Sequence, residues 1–122
     1  MPTQAIETRM RHAPSLPEIP IIDLPSEINA QAEEALNAAF AGASRDKPKA
    51  ILLDFGSVEY INSTGIALIV SLLAQARQQG IRMAACSLTD HYVEVFRLTR
   101  LADFLRIFPD EVSALAAIPA LE

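Results

Sequence analysis

A nearly continuous apolar run, Ala50-Ile51-Leu52-Leu53-Asp54-Phe55, follows a polar connection, Gly42 to Lys49, and precedes a second apolar stretch that begins after Asn62. A strand with one wet face alternates apolar and polar residues. A strand without that alternation is buried on both faces. Such strands belong to parallel sheets, whose crossover connections lay helices over both sides. This run therefore points to an α/β domain with Ala50 to Phe55 near the middle of its sheet.

The rest of the chain fits that frame. Ala5 to His12 alternates loosely, with Ile6, Thr8 and Met10 on one side and Glu7, Arg9 and Arg11 on the other, which suggests an edge strand. Pro14 and Pro17 turn the chain, and Ile19 to Leu24 reads as a second short strand, in which Pro20 suggests an edge position or a late start. The two are spaced to pair as a hairpin. Asn29 is placed to cap a helix from about Ala30 to Ala43, with Ala32, Ala35, Leu36, Ala39 and Phe40 as its apolar stripe. A second helix spans Ser63 to Gln79 and stops at Gly80. Arg82 to Leu88 is a further strand, Thr89-Asp90 opens a third helix through Arg97 or Thr99, and Leu105 to Phe108 is a short strand. Pro109-Asp110-Glu111 starts a last helix, since proline and acids favour the first turn. The expected order is β-β-α-β-α-β-α-β-α, a mixed but mostly parallel sheet of four to five strands with about four helices.

Size and charge narrow the function. The chain has 122 residues, about half of them apolar, which suits a single domain over 1–122 with its core at about 6–118. A net charge of −5 and a pI near 5.0 argue against nucleic acid as partner. The lone Cys86 excludes an internal disulfide and reads as a buried core thiol. Neither a secretory leader nor a run of roughly twenty apolar residues is present, so a soluble, cytoplasmic protein is expected, without membrane insertion.

Reaction chemistry is poorly supplied. The two histidines, His12 and His91, lack metal-ligand spacing. None of the four glycines falls in a G-x-G-x-x-G or Walker pattern, so no nucleotide cofactor is called for. Ser63 sits at a strand-to-helix turn, but Ile61 occupies the first glycine of a G-x-S-x-G elbow. The acids Glu33-Glu34 and Asp110-Glu111 lie at helix starts, where the dipole explains them. The chain reads as a non-enzyme.

Asn62-Ser63-Thr64-Gly65 is the stretch with functional content. A hydroxyl at a helix amino end meets free N–H groups and the positive end of the dipole. That suits a cap, and it equally suits a phosphate. At about 100° per residue, Ile66, Ile69, Val70, Leu72, Leu73 and Ala76 share one face of this helix, and Leu68 falls on the wet side near Thr64. Leu68 is thus either a partner contact or a single exposed leucine.

The run Val58 to Leu68 resembles the STAS domain of anti-sigma-factor antagonists, in which a strand and loop lead to Asp-Ser-Ser-Gly-Leu-Gly at a helix start. The resemblance puts the family's phosphoacceptor role on Ser63, its second serine on Thr64 and its glycine on Gly65. Upstream, Ser26-Glu27-Ile28-Asn29 is similar to the family's Gly-Glu-Leu-Asp. The element order resembles the STAS fold over nearly the whole chain. Asn29 and Asn62 replace the usual aspartates, which keeps the capping geometry and removes the charge.

The resemblance implies a partner-switching module. Unphosphorylated, such a domain binds an anti-sigma factor that is a serine kinase of the histidine-kinase-like ATPase class. Phosphorylation of Ser63 releases it, and a PP2C-type phosphatase restores it. Glu27, Asn29, Asn62, Thr64, Gly65, Ile66 and Leu68 are the partner-binding candidates. Two other readings stay open: an interaction module that is never phosphorylated, serving as a scaffold or as an accessory subunit of a signalling assembly or transporter, and a domain that holds a small anion at the Ser63 helix end.

Overall fold

The computed structural model describes residues 8–120. Its five-stranded sheet runs β1 (Arg9–His12), β2 (Pro20–Asp23), β4 (Ala50–Asp54), β6 (Arg82–Cys86), β7 (Arg106–Phe108) from edge to edge. Only β1 is antiparallel to its neighbour; the other pairs are parallel, with Leu52 opposite both Ile21 and Ala84. The central position of β4 and the β1–β2 hairpin follow the sequence reading. The part of the first expected strand before Thr8 lies outside the described residues.

Alternation along the strands divides the core. Ile22, Ile51, Leu53, Met83 and Ala85 face a large apolar layer with α1 (Glu33–Ser44), α2 (Ser63–Gln79) and α3 (Asp90–Leu98), which contribute Leu36, Phe40, Ile69, Leu72, Ala76 and Phe96. Ile21, Ala50, Leu52, Ala84 and Cys86 face the other side, covered by α4 (Glu111–Ala117) through Ala114 and by Ala13 and Ile19. Small side chains of β6 let the short α4 approach closely. This two-sided burial is what the unalternating run of β4 demanded.

Three local differences from the sequence reading have plain causes. Asn29 caps a 3₁₀ turn, Ala30–Ala32, before α1 proper begins at Glu33. α1 continues to Ser44, one residue past the expected end at Ala43, because Ala43 and Ser44 are buried and Gly42 costs a helix only about 1 kcal/mol. Beyond the expected order, β3 (Glu27–Ile28) and β5 (Tyr60–Ile61) form a separate parallel ribbon, too short to leave a periodic signature.

Candidate functional site

The ribbon positions the site. Ser26 accepts hydrogen bonds on its carbonyl from the Glu59 and Tyr60 N–H groups (2.7 and 3.2 Å), and the Asn62 N–H donates to the Ile28 carbonyl (3.2 Å). Ile28 and Ile61 are register partners, so Asn29 and Asn62 leave the ribbon side by side. Each then caps a helical segment. Asn29 Oδ1 accepts from the Gln31 N–H (2.9 Å), and Asn62 Oδ1 accepts from the Gly65 N–H (2.8 Å). The cap expected of Ser63 therefore belongs to Asn62, and Ser63 is the first residue of α2. An extended Asn62 with an amide oxygen two bonds from Cβ reaches the third N–H of the helix, the usual capping geometry.

Gly65 is fixed by sterics. A Cβ there would collide with the Ile28 carbonyl oxygen and stand 2.7 Å from its carbon and 2.9 Å from Ile61 Cγ2. The first turn of α2 thus presses its backbone directly on β3, which holds the Asn62–Ser63–Thr64 corner against the ribbon.

Ser63 and Thr64 project into solvent, Ile66 is half-buried, and Glu27 is exposed on the ribbon beside an exposed Tyr60. Asn62 takes the Gly65 N–H with its side chain and the Ile66 N–H with its carbonyl (2.9 Å), so the N–H groups of Ser63 and Thr64 stand outside the helical ladder. α2 carries no acid in its first turn, whereas Glu33 and Glu34, Asp90, and Glu111 occupy that turn in α1, α3 and α4. The seven partner-binding candidates fall on the ribbon and the two helix starts it launches. The expected faces of α2 change as well. Leu68 is half-buried and packs on the core, while Val70, read as core-facing, is 45% exposed. α2 is rotated relative to the idealised wheel because Gly65 must face β3.

Two supports escaped the sequence reading. The buried hydroxyl of Tyr92 in α3 accepts the Ile61 N–H at 2.8 Å, tying the ribbon to the third helix one residue before Asn62. An apolar-looking α3 face containing a tyrosine was the available signal. Arg11 of β1 donates to Asp23 (2.8 Å), Asp54 (3.1 Å) and Glu111, gathering the ends of β2 and β4 with the start of α4. Glu111 first, and then Asp23, hold the Arg11 guanidinium pKa above its ordinary value. Burial, helped by Asp54, pushes the Cys86 thiol up to about 12, consistent with an inert core residue.

A five-stranded mixed sheet, helices on both faces and a glycine-pinned helix start defined by a two-stranded ribbon describe a mixed-sheet α/β domain. Residues 11–114 match the STAS domain family, and the chain belongs to that family. It is 32% identical over 95 residues to BtrV of Bordetella bronchiseptica, which carries the name anti-sigma factor antagonist; the match covers 78% of this chain and 79% of BtrV. In structure it is similar to an anti-sigma factor antagonist from Mycobacterium paratuberculosis (TM-score 0.76, 19% identity, 98% and 97% of the two chains). It is similar also to the phosphorylated form of SpoIIAA, a Bacillus cell fate determinant (TM-score 0.68, 17% identity, 91% and 98%). The chain is thus an anti-sigma-factor antagonist-like STAS protein. Among the described residues, no helix is long and apolar enough to cross a membrane.

Proposed function

We propose that this chain is a partner-switching regulator: unphosphorylated, it binds an anti-sigma factor that is also a serine kinase, and phosphorylation of Ser63 ends the binding. The observation that carries this reading is the amino end of α2, where an exposed hydroxyl stands beside two N–H groups outside the ladder and no acid occupies the first turn. A phosphate adds about −1.5 to −2 charge. The helix end accommodates that charge, because N–H groups and dipole favour an anion there. A docked protein surface does not, because the phosphate would have to shed its water. The switch is then local: the fold persists and the interface fails. The name of BtrV supports an anti-sigma factor as the partner. Glu27 and Asn29 extend the contact along the ribbon, Asn62, Thr64 and Gly65 frame the acceptor, and Ile66 and Leu68 supply its apolar flank. A PP2C-type phosphatase resets the site, in the cytoplasm.

The test pairs chemistry with binding. ATP and the cognate kinase should add one phosphate to the peptide holding Ser63, read by mass spectrometry, and Ser63→Asp should lose kinase binding at least tenfold. Tight binding by Ser63→Asp would sink the proposal. One observation favours a second reading, an interaction scaffold that is never phosphorylated: Asn29 and Asn62 leave both caps uncharged, so no carboxylate stands at the cap to orient the serine. An unmodified Ser63 peptide together with retained partner binding would select it.

A further inference from the structure

We propose a second binding site, distinct from the Ser63 end: the groove between the carboxy-terminal half of α2 and the segment from Thr99 to Arg106 takes an acidic, apolar-anchored segment of a partner protein. The groove has a volume of ≈ 1020 Å³. Val70 and Phe104 line it while 45% and 55% exposed, which are large values for apolar side chains. Arg77, Arg82, Arg100 and Arg106 line it against one acid, Asp103. This basic concentration lies in a chain of net charge −5.

Asp103 is already held by Arg100 (2.7 Å). Among the described residues no acid lies within ion-pair distance of Arg77, Arg82 or Arg106. Arg77 lies over the Phe104 ring, its guanidinium carbon 5.4 Å from the centroid, so charge and aromatic surface are presented together. Dipole compensation accounts for Arg77 at the end of α2, yet not for Arg82 and Arg106, which begin β6 and β7. Arg100 adopts a left-handed φ of 68°, a position after a helix that favours glycine or asparagine.

A small anion would satisfy the arginines and leave Val70 and Phe104 wet. A polypeptide with acids around an apolar anchor satisfies both. The groove runs from about 10 Å from Ser63 at Val70 to about 25 Å at Gly80, since the helix rises about 1.5 Å per residue. A segment anchored at Arg77 and Phe104 leaves Ser63 free.

The probes are a synthetic ten-residue peptide of Glu and Asp with a central Leu-Phe pair, its counterpart with Lys for every acid, and inorganic phosphate. Each is titrated into the ¹⁵N-labelled chain and followed by amide chemical shifts. The acidic peptide should shift resonances around Val70, Arg77 and Phe104, and high salt should weaken it. Arg77→Gln with Arg106→Gln, and separately Phe104→Ser, should weaken it at least tenfold; Ser63→Asp should leave it unchanged. These substitutions fall on exposed residues, and a melting curve checks each fold. Equal shifts from the lysine peptide, the same shifts from phosphate alone, shifts confined to the Ser63 end, or none at millimolar peptide would each overturn the proposal.

Discussion

Two strand-to-helix turns leave the β3–β5 ribbon next to each other, and they differ in a way that isolates the site. Each follows a buried isoleucine with a capping asparagine, Ile28-Asn29 and Ile61-Asn62. After Asn29 the chain makes a 3₁₀ turn through Ala30-Gln31-Ala32, and its acids Glu33 and Glu34 arrive with α1. After Asn62 it enters a 17-residue α-helix directly, with two hydroxyls and a glycine in place of acids. Capping is common to both, so capping alone does not define function. What distinguishes α2 is a first turn jammed onto neighbouring backbone, exposing Ser63, with its dipole unopposed by an acid.

The largest effect is expected where the jam is tightest. Gly65→Ala drives a methyl into the Ile28 carbonyl and should cost about 3 kcal/mol, the upper range for overpacking, read as a lower urea midpoint. Gly42 in α1 has no atom within 4 Å of its would-be Cβ, so Gly42→Ala should stabilise by about 0.5–1 kcal/mol. Equal effects at the two glycines would remove the steric distinction between the helices. Next comes Tyr92→Phe, which leaves the buried Ile61 N–H without its acceptor. A loss of about 1–3 kcal/mol is expected, with faster amide exchange at Ile61 and little change at Ile28.

Much of this architecture is readable from residues, for physical reasons. The unalternating β4 and the glycine stop at Gly80, whose φ is 74°, are strong local signals that tertiary contacts reinforce. A cap before each helix was legible because capping is a local interaction, although at α2 it falls on Asn62 rather than on Ser63. The ribbon was not legible: Glu27–Ile28 and Tyr60–Ile61 are too short for period-two patterning and exist through each other. The rotation of α2, which leaves Leu68 half-buried and Val70 exposed, depends on where Gly65 meets β3, a long-range fact. The acceptor role of Tyr92 is likewise a contact across 31 positions, invisible in local spacing.

Removing each cap sharpens the comparison further. Asn62→Ala should cost about 1 kcal/mol, with a smaller loss for Asn29→Ala, because Asn29 caps only a 3₁₀ turn. Reversal of that order in thermal melts would mean that α1 depends on its cap more than α2 does.

The smallest effect concerns charge. Asn62→Asp keeps the acceptor and adds a carboxylate at an unopposed dipole, so it should stabilise by about 0.3–1 kcal/mol at neutral pH. Asn29→Asp should gain less, since Glu33 and Glu34 already serve that end. Asp110 shows the titration to expect. It caps α4 by accepting the Ser113 N–H at 2.7 Å, and that bond holds its carboxyl below the ordinary 3.8. A carboxyl depressed in the fold contributes above its unfolded pKa and loses that contribution as pH falls through the folded one. The gain from Asn62→Asp should therefore be full at pH 7 and vanish on acidification below about 4. Melting wild type and variant in parallel from pH 7 to pH 3 measures it. A gain that persists at pH 3 would mean that the new side chain packs rather than charges, and that the amino end of α2 has no special appetite for an anion.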